Sequence, residues 1–381
     1  MRRLLFWASA WTVVYTYVGY PLLLAIRASI APRAWRREEI TPRLSVIIVA
    51  HNEAAVIGRK LESVRGADYP SDRLEVLVAS DGSTDGTVAE AGANGGADRV
   101  LDLPRGGKAS GLNAAIAQAS GEILLFTDAN SMLERSSLRS IVRSFADPDV
   151  GGVAGDQQYS GAGDGSRGER SYWSLDRWLK DLESRAGSTI SATGALYAIR
   201  RELAQAVPAD VTDDFFQSVG VVKAGKRLVF EPAAVAFEAP RDDEATEFSR
   251  KIRIITRGLT AVLRHRTTMD PRRYGFYAVQ MLTHKVLRRL AFLPLSIMAM
   301  AAPTLWRAGI LYRVAAVAQL ALYAGGLLGI MLRASPRGRS RLLSLPAFFL
   351  LANAASARAV LNVVRGHRIA MWSPSHDEPD S

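Results

Sequence analysis

LSVIIVAHNE, residues 44–53, is the stretch that decides the fold. Its first seven residues form a near-unbroken apolar run, rich in β-branched side chains, as a strand buried on both faces requires. His51, Asn52 and Glu53 end the run, and residues 54–64 then take up helical spacing. The alternation repeats along the next hundred residues. Strands are expected at 74–79, 100–103 and 123–127, and helices at 84–93, 108–119 and 136–145. Strands alternating with helices imply an α/β fold with a mostly parallel sheet covered on both faces. In such sheets ligands bind at the carboxyl ends of the strands.

The strand ends carry the chemistry. The first runs into His51-Asn52-Glu53, the second into SDGSTDG at 80–86, and the fourth into Asp128-Ala129-Asn130. Each has an ordinary local reading as a helix cap or a turn. Three polar strand ends in one sheet converge on one crevice, which points to a ligand site. Gly106-Gly107-Lys108 precedes a helix, where glycines let backbone N–H groups approach an anion and a lysine meets phosphate. A diphosphate beside Asp128 needs a bridging cation. Mg2+ and Mn2+ prefer oxygen ligands, which Asp128 and Asn130 offer.

The series AHNEAAVIGRKLESV, VLVASDGSTDGT, GGKASGLNAAIAQASGEILLFTDANS, TGALYAIRRE and VTDDF resembles the family 2 glycosyltransferases. The order and spacing match over residues 44–240, with a further match in the basic helix around 250–258. The resemblance implies a GT-A fold, a single nucleotide-sugar-binding α/β domain. It implies Asn52 and Glu53 near the nucleoside, Asp81 on the base or ribose, Lys108 near the diphosphate, and Asp128 in the metal motif with Asn130. Asp214 matches the family's catalytic base, and Gly194 and Asp213 belong to the acceptor pocket. Arg253 and Arg257 are suited to pair with diphosphate or a lipid phosphate. Two departures stand out. An amide, Asn130, replaces one acid of the Asp-x-Asp motif, and the Gln-x-x-Arg-Trp of many processive polysaccharide synthases lacks its glutamine and tryptophan here.

The implied reaction moves a sugar from a nucleotide diphosphate sugar, a UDP-sugar as first expectation, to a polysaccharide or lipid-linked acceptor. A polyprenyl phosphate is the alternative acceptor. The leaving diphosphate needs positive charge, from Mg2+ or Mn2+, Lys108 and Arg253, and the acceptor hydroxyl needs a base. One base with direct displacement predicts inversion. For Asp213 and Asp214 the other reading is carboxylates complementing a helix dipole.

The rest of the chain reads as membrane protein. Of 381 residues 48% are hydrophobic, and there is no cysteine, which excludes a disulfide framework and a thiolate metal site. Apolar runs occupy residues 4–26, 290–306, 314–332 and 342–364, close to the roughly 20 residues a membrane helix takes. The first is too long for a signal peptide core of about 7–15 residues, and no cleavage site follows it. The net charge of +11 clusters beside these runs. Arg27, Arg33, Arg36, Arg37 and Arg43 follow the first; Arg264, Arg266, Arg272, Arg273, Lys285, Arg288 and Arg289 precede the second; Arg333, Arg337, Arg339 and Arg341 separate the last two. Cytoplasmic loops collect such residues, so the expected topology has both termini outside and residues 27–289 inside, at the inner membrane.

The expected order is a transmembrane helix (1–26), the GT-A domain (41–245), basic amphipathic interface helices (246–289), three transmembrane helices (290–364) and a polar tail (365–381). Without interleaved aromatics the basic residues do not suit nucleic acid. A Rossmann dehydrogenase would need Gly-x-Gly-x-x-Gly where His51-Asn52-Glu53 stands. A non-catalytic membrane scaffold with a nucleotide-binding domain gives no reason for three polar strand ends.

Overall fold

The computed structural model describes residues 1–159, 167–238, 244–333, 335, 338 and 340–367. Arg337, Arg339 and tail residues 368–381 lie outside them. The described residues fall into two compact units, 31–159 with 180–238, and 1–30 with 167–179 and 244–367.

In the first unit, β1 (Leu44–Ala50), β2 (Leu74–Asp81), β3 (Arg99–Leu103), β4 (Ile123–Phe126), β5 (Ser131–Leu133), β6 (Val150–Tyr159), β7 (Tyr197–Arg200) and β8 (Arg227–Glu238) form one sheet. Their order is β3-β2-β1-β4-β7-β6-β8-β5. Strands β3, β2, β1 and β4 run parallel. Beyond β4 the sheet is mixed, with β7 antiparallel to both neighbours and β5 antiparallel to β8. Every residue of β1 is buried, as its near-unbroken apolar run demands. The chain adds β2 and β3 on one side of β1 and then returns to add β4 on the other. That reversal opens a crevice at the carboxyl ends of β1 and β4.

Helix packing brings the polar ends together. On the helix Ala54–Arg65, Ile57, Leu61 and Val64 are buried at i, i+4 and i+7, and Lys60 shares their face. The helix Lys108–Gln118 lies close on β1 and β2 because its buried face is small: a Cβ on Gly111 would come within 2.9 Å of Val49 Cγ1. Upstream residues join the unit through Trp35 Nε1, which donates to Ser144 Oγ at 3.0 Å, and Arg36 N, which donates to Asp147 Oδ2 at 3.0 Å.

In the second unit, Arg2–Ile30, Ile310–Met331 and Arg341–Val364 are long and apolar enough to cross a membrane. The run expected to cross at 290–306 behaves differently. Its helix, Phe292–Thr304, has 13 residues, about 20 Å of rise against a hydrocarbon core of about 30 Å. It reaches spanning length only together with Phe276–Leu287, from which it is bent by 60°. Arg288 and Arg289 stand at the break, where charges interrupt the apolar stretch. Glycines set the next helix pair close: a Cβ on Gly329 would lie 2.5 Å from the Leu343 carbonyl oxygen, the small-residue crossing usual between membrane helices. Leu320, Met331 and Leu342 are exposed, as lipid-facing side chains would be. On the basic helix Glu244–Arg264, Ile252, Ile255 and Leu259 pack against Ala355 and Ala359 of the last span.

Candidate active site

The end of β1 is laced to the loop after β2. Asn52, with φ of 53°, accepts a hydrogen bond from Thr84 N (2.8 Å) through Oδ1, while its own N–H donates to Ser83 Oγ (3.1 Å). Asparagine tolerates this left-handed backbone better than most residues. Glu53 N donates to Thr87 Oγ1 (2.8 Å) and Ala54 N to Asp85 Oδ2 (3.0 Å). His51 Nδ1 lies 2.7 Å from the Asp81 carbonyl oxygen. A carbonyl only accepts, so Nδ1 carries the proton. These bonds hold residues 83–85 outside the helix expected at 84–93, which starts at Thr87.

Asp81 is 1% exposed. Its Oδ1 accepts from Gly106 N (2.7 Å) and Gly107 N (2.8 Å), and its Oδ2 from Arg105 Nη1 (2.6 Å). The expectation that the two glycine amides turn toward a phosphate is therefore corrected: both are spent on Asp81. Asp81 organises the loop, and a nucleoside contact through its carboxylate would share oxygens already engaged by these groups.

Lys108, at the start of its helix, sits between two carboxylates. Its Nζ is 2.8 Å from Asp128 Oδ1, at the end of β4, and 3.2 Å from Asp213 Oδ1. Asp213 Oδ2 accepts from Tyr197 Oη at 3.1 Å. Tyr197 is fully buried and stacks on Phe126 with centroids 4.7 Å apart, because the two residues pair across β4 and β7. Gly194 faces the same group: a Cβ there would be 3.3 Å from Asp128 Oδ2 and 3.6 Å from Lys108 Nζ. Asp213 and Asp214 form the first turn of the helix Asp213–Lys223. Burial alone would push the Lys108 ammonium down, but Asp128, Asp213 and Asp214 override it and hold it above the ordinary lysine range. Burial likewise opposes the Asp213 charge, and Lys108 with the Tyr197 hydroxyl holds its carboxyl below the usual carboxylate range.

Three side chains escaped the sequence reading. Lys60 is fully buried, with Nζ donating to Thr127 Oγ1 (2.7 Å) and the Ser131 carbonyl. It grips both sides of Asp128-Ala129-Asn130. Burial pushes its ammonium down to about 7, with Asp128 opposing. The signal was present: a charged residue on the apolar face of its helix. Tyr197 lies within TGALYAIRRE, but nothing in that stretch singles it out. Glu238 accepts from Asn130 Nδ2 at 3.2 Å and ends a strand that the sequence reading did not register. Arg253 and Arg257 stand in the second unit, on the helix Glu244–Arg264, with Arg257 buried.

Among the described residues no three acidic or histidine side chains converge as a ready-made metal site. Asp128 and Asn130 nevertheless fit a hard divalent cation: both present oxygen, and Mg2+ sites commonly use one or two carboxylates with phosphate and water completing the shell.

The sequence profile described as glycosyl transferase family 2 matches residues 45–207. A beta-monoglucosyldiacylglycerol synthase of Synechocystis sp. is 29% identical over 182 residues, 38% of this chain and 36% of that protein. An N-acetylglucosaminyltransferase of Rhizobium meliloti is 27% identical over 215 residues, 51% of this chain and 50% of that protein. The chain thus spans half or less of the length of these relatives. Among solved structures, the mannosyltransferase PcManGT from Pyrobaculum calidifontis, in complex with GDP-Man and Mn2+, superposes with a TM-score of 0.69 at 26% identity. That match covers 94% of this chain and 99% of that one. By motif order, sheet topology and these likenesses, residues 45–207 form a glycosyl transferase family 2 domain with the GT-A fold.

Proposed function

We propose that the protein is a membrane-bound inverting glycosyltransferase. It moves a sugar from a nucleotide diphosphate sugar to a lipid-linked or polysaccharide acceptor at the cytoplasmic face of the membrane. The observation that carries this reading is the cluster of Lys108, Asp128 and Asp213 at the carboxyl ends of the sheet strands. Asp128 and Asn130 would hold a divalent cation, Mg2+ or Mn2+, whose charge stabilises the leaving diphosphate. Lys108 adds a second positive charge beside it.

In the transfer, the bond between the anomeric carbon and the diphosphate oxygen breaks with its electron pair going to that oxygen. The acceptor oxygen bonds to the opposite face of the same carbon, and its proton passes to a carboxylate. Asp213 is a poor proton acceptor, since Lys108 and Tyr197 engage its two oxygens and hold its carboxyl low. Asp214, its neighbour in the same turn, takes the proton. One displacement inverts the anomeric configuration.

Membrane residence is supported by the spans and their outward apolar side chains, and the cytoplasmic orientation by the flanking arginines. Arg253 and Arg257, on the helix packed against the last span, suit a diphosphate or lipid phosphate. PcManGT was solved with GDP-Man, so GDP-mannose belongs beside UDP-sugars as a candidate donor. The test is a panel of nucleotide sugars offered to purified protein in lipid, with release of nucleoside diphosphate measured. Release from one donor, lost in Asp214→Asn, supports the reading. No release from any donor, with or without lipid acceptors, overturns it.

A further inference from the structure

The metal motif of this chain has an amide where its family has a second acid, and the structure shows what stands against that amide. Asn130 Nδ2 donates to Glu238 Oε1 at 3.2 Å, and Gln157 Nε2 donates to Glu238 Oε2. The backbone enforces the encounter: Ser131, next to Asn130, pairs with Glu238 across β5 and β8, and Tyr159 pairs with Glu238 across β6 and β8. Glu238 is buried, 5% exposed.

We propose that Glu238 is a positioning residue for the cation site, which fixes the Asn130 amide and lends it the negative charge that the motif lacks. An ionised carboxylate has no proton to give, so only the amide nitrogen can face it. The reversed amide would set oxygen against oxygen at contact distance. Asn130 Oδ1 is thereby turned away from Glu238 and left as the donor atom on offer. A charge-assisted bond on the nitrogen shifts electron density toward that oxygen, so Asn130 backed by Glu238 approaches the donor strength of a carboxylate. The pair also accounts for the amide: an aspartate at 130 would meet the Glu238 carboxylate head-on, and like charges at that distance resist joint ionisation. This inference rests on the assignment of Asn130 to a divalent cation.

The test measures Mn2+ affinity directly, by the electron paramagnetic resonance signal of free Mn2+ titrated with protein, for wild type, Glu238→Gln and the double variant Asn130→Asp/Glu238→Gln. Glutamine is nearly isosteric, its amide oxygen still accepts from Asn130, and its NH2 is accommodated when the Gln157 amide turns to present its oxygen, so the fold is kept and the charge is lost. Groups that orient metal ligands typically contribute about 10–100-fold in affinity, and Glu238→Gln should weaken Mn2+ by at least about tenfold. Activity missing at low Mn2+ should return as Mn2+ is raised, and an unchanged melting temperature of the metal-free variant separates this from a loss of stability. The double variant, which moves the charge onto the ligand itself, should regain most of the affinity. Glu238→Gln binding Mn2+ within about threefold of wild type overturns the role of Glu238. Wild type that binds no Mn2+ overturns the cation assignment beneath it, and the two failures are told apart by the wild-type titration alone.

Discussion

Replacing each of two adjacent aspartates by asparagine separates their roles. In Asp214→Asn the side chain keeps its size but cannot accept the acceptor's proton near neutral pH. General-base catalysis is worth about 10²–10⁴-fold, or roughly 3–5 kcal/mol of barrier, so transfer should fall at least about 100-fold while donor affinity changes little. Asp213→Asn disturbs charge instead. Its partner Lys108 lies 3.2 Å away, where Coulomb attraction at an effective dielectric of about 20 is roughly 5 kcal/mol before desolvation is subtracted. Lys108 keeps Asp128 at 2.8 Å, and the amide oxygen at 213 still accepts from Tyr197. The net loss should be on the order of 1–2 kcal/mol, about tenfold, read mainly in donor binding. Single-turnover transfer of radiolabelled sugar and calorimetric donor titration measure the two effects separately. Asp214→Asn transferring within about tenfold of wild type, or Asp213→Asn being the more damaged, would refute the division of labour.

Lys60→Met should remove a pH dependence of stability. The folded state holds Lys60 down to about 7 against 10.5 in the unfolded chain, so the unfolded state binds the extra proton between those values. Stability then rises with pH across that window by about 1.4 kcal/mol per unit. Denaturation at pH 7 and pH 9 should reveal the rise in wild type, and an equal rise in Lys60→Met would count against it. Chelation should abolish transfer by wild type and Mn2+ should restore it, whereas Asp128→Ala should stay inactive with unchanged circular dichroism; full activity after chelation contradicts the cation role. Because the chain has no cysteine, single cysteines at Ala308 and Ser335 report orientation cleanly. An impermeant thiol reagent on intact cells should label only the first, and equal labelling refutes the topology.

The parallel half of the sheet was legible because β1, β2 and β4 are buried on both faces and are therefore mostly apolar along their length. The other half was not. In β6 the glycines replace the expected bulk: Cβ atoms on Gly152 and Gly155 would lie 2.8 Å from Leu228 Cδ1 and 2.7 Å from Leu196 Cγ. Apolar volume comes from neighbouring strands, which a one-dimensional pattern does not record. β8 carries Pro232, ordinarily a mark against a central strand. Within the site, Lys108, Asp128, Asp213 and Gly194 are neighbours as their motifs implied. The loop amides of Gly106 and Gly107 could not be read, because their partner, Asp81, is set by a turn about 25 residues away in sequence. Lys60 and Glu238 act from beneath and beside the motif, at positions defined only by the fold. The short helix after Arg288 and Arg289 shows the limit of counting apolar residues: the same composition serves a straight span or half of a bent one.

One lysine facing Asp128, Asp213 and Asp214 also sets an order of events. The pocket carries excess negative charge, and a nucleotide diphosphate sugar brings more of the same sign. Donor arriving alone meets repulsion, whereas donor arriving as its nearly neutral cation complex meets none and exchanges partners with Lys108 as it enters. Once the nucleoside diphosphate is left behind, its added charge on the diphosphate tightens its hold on cation and lysine alike. Initial-rate kinetics should therefore show the cation–donor complex binding first, the glycosylated acceptor leaving before the nucleotide, and nucleoside diphosphate acting as a competitive inhibitor whose strength grows with cation concentration.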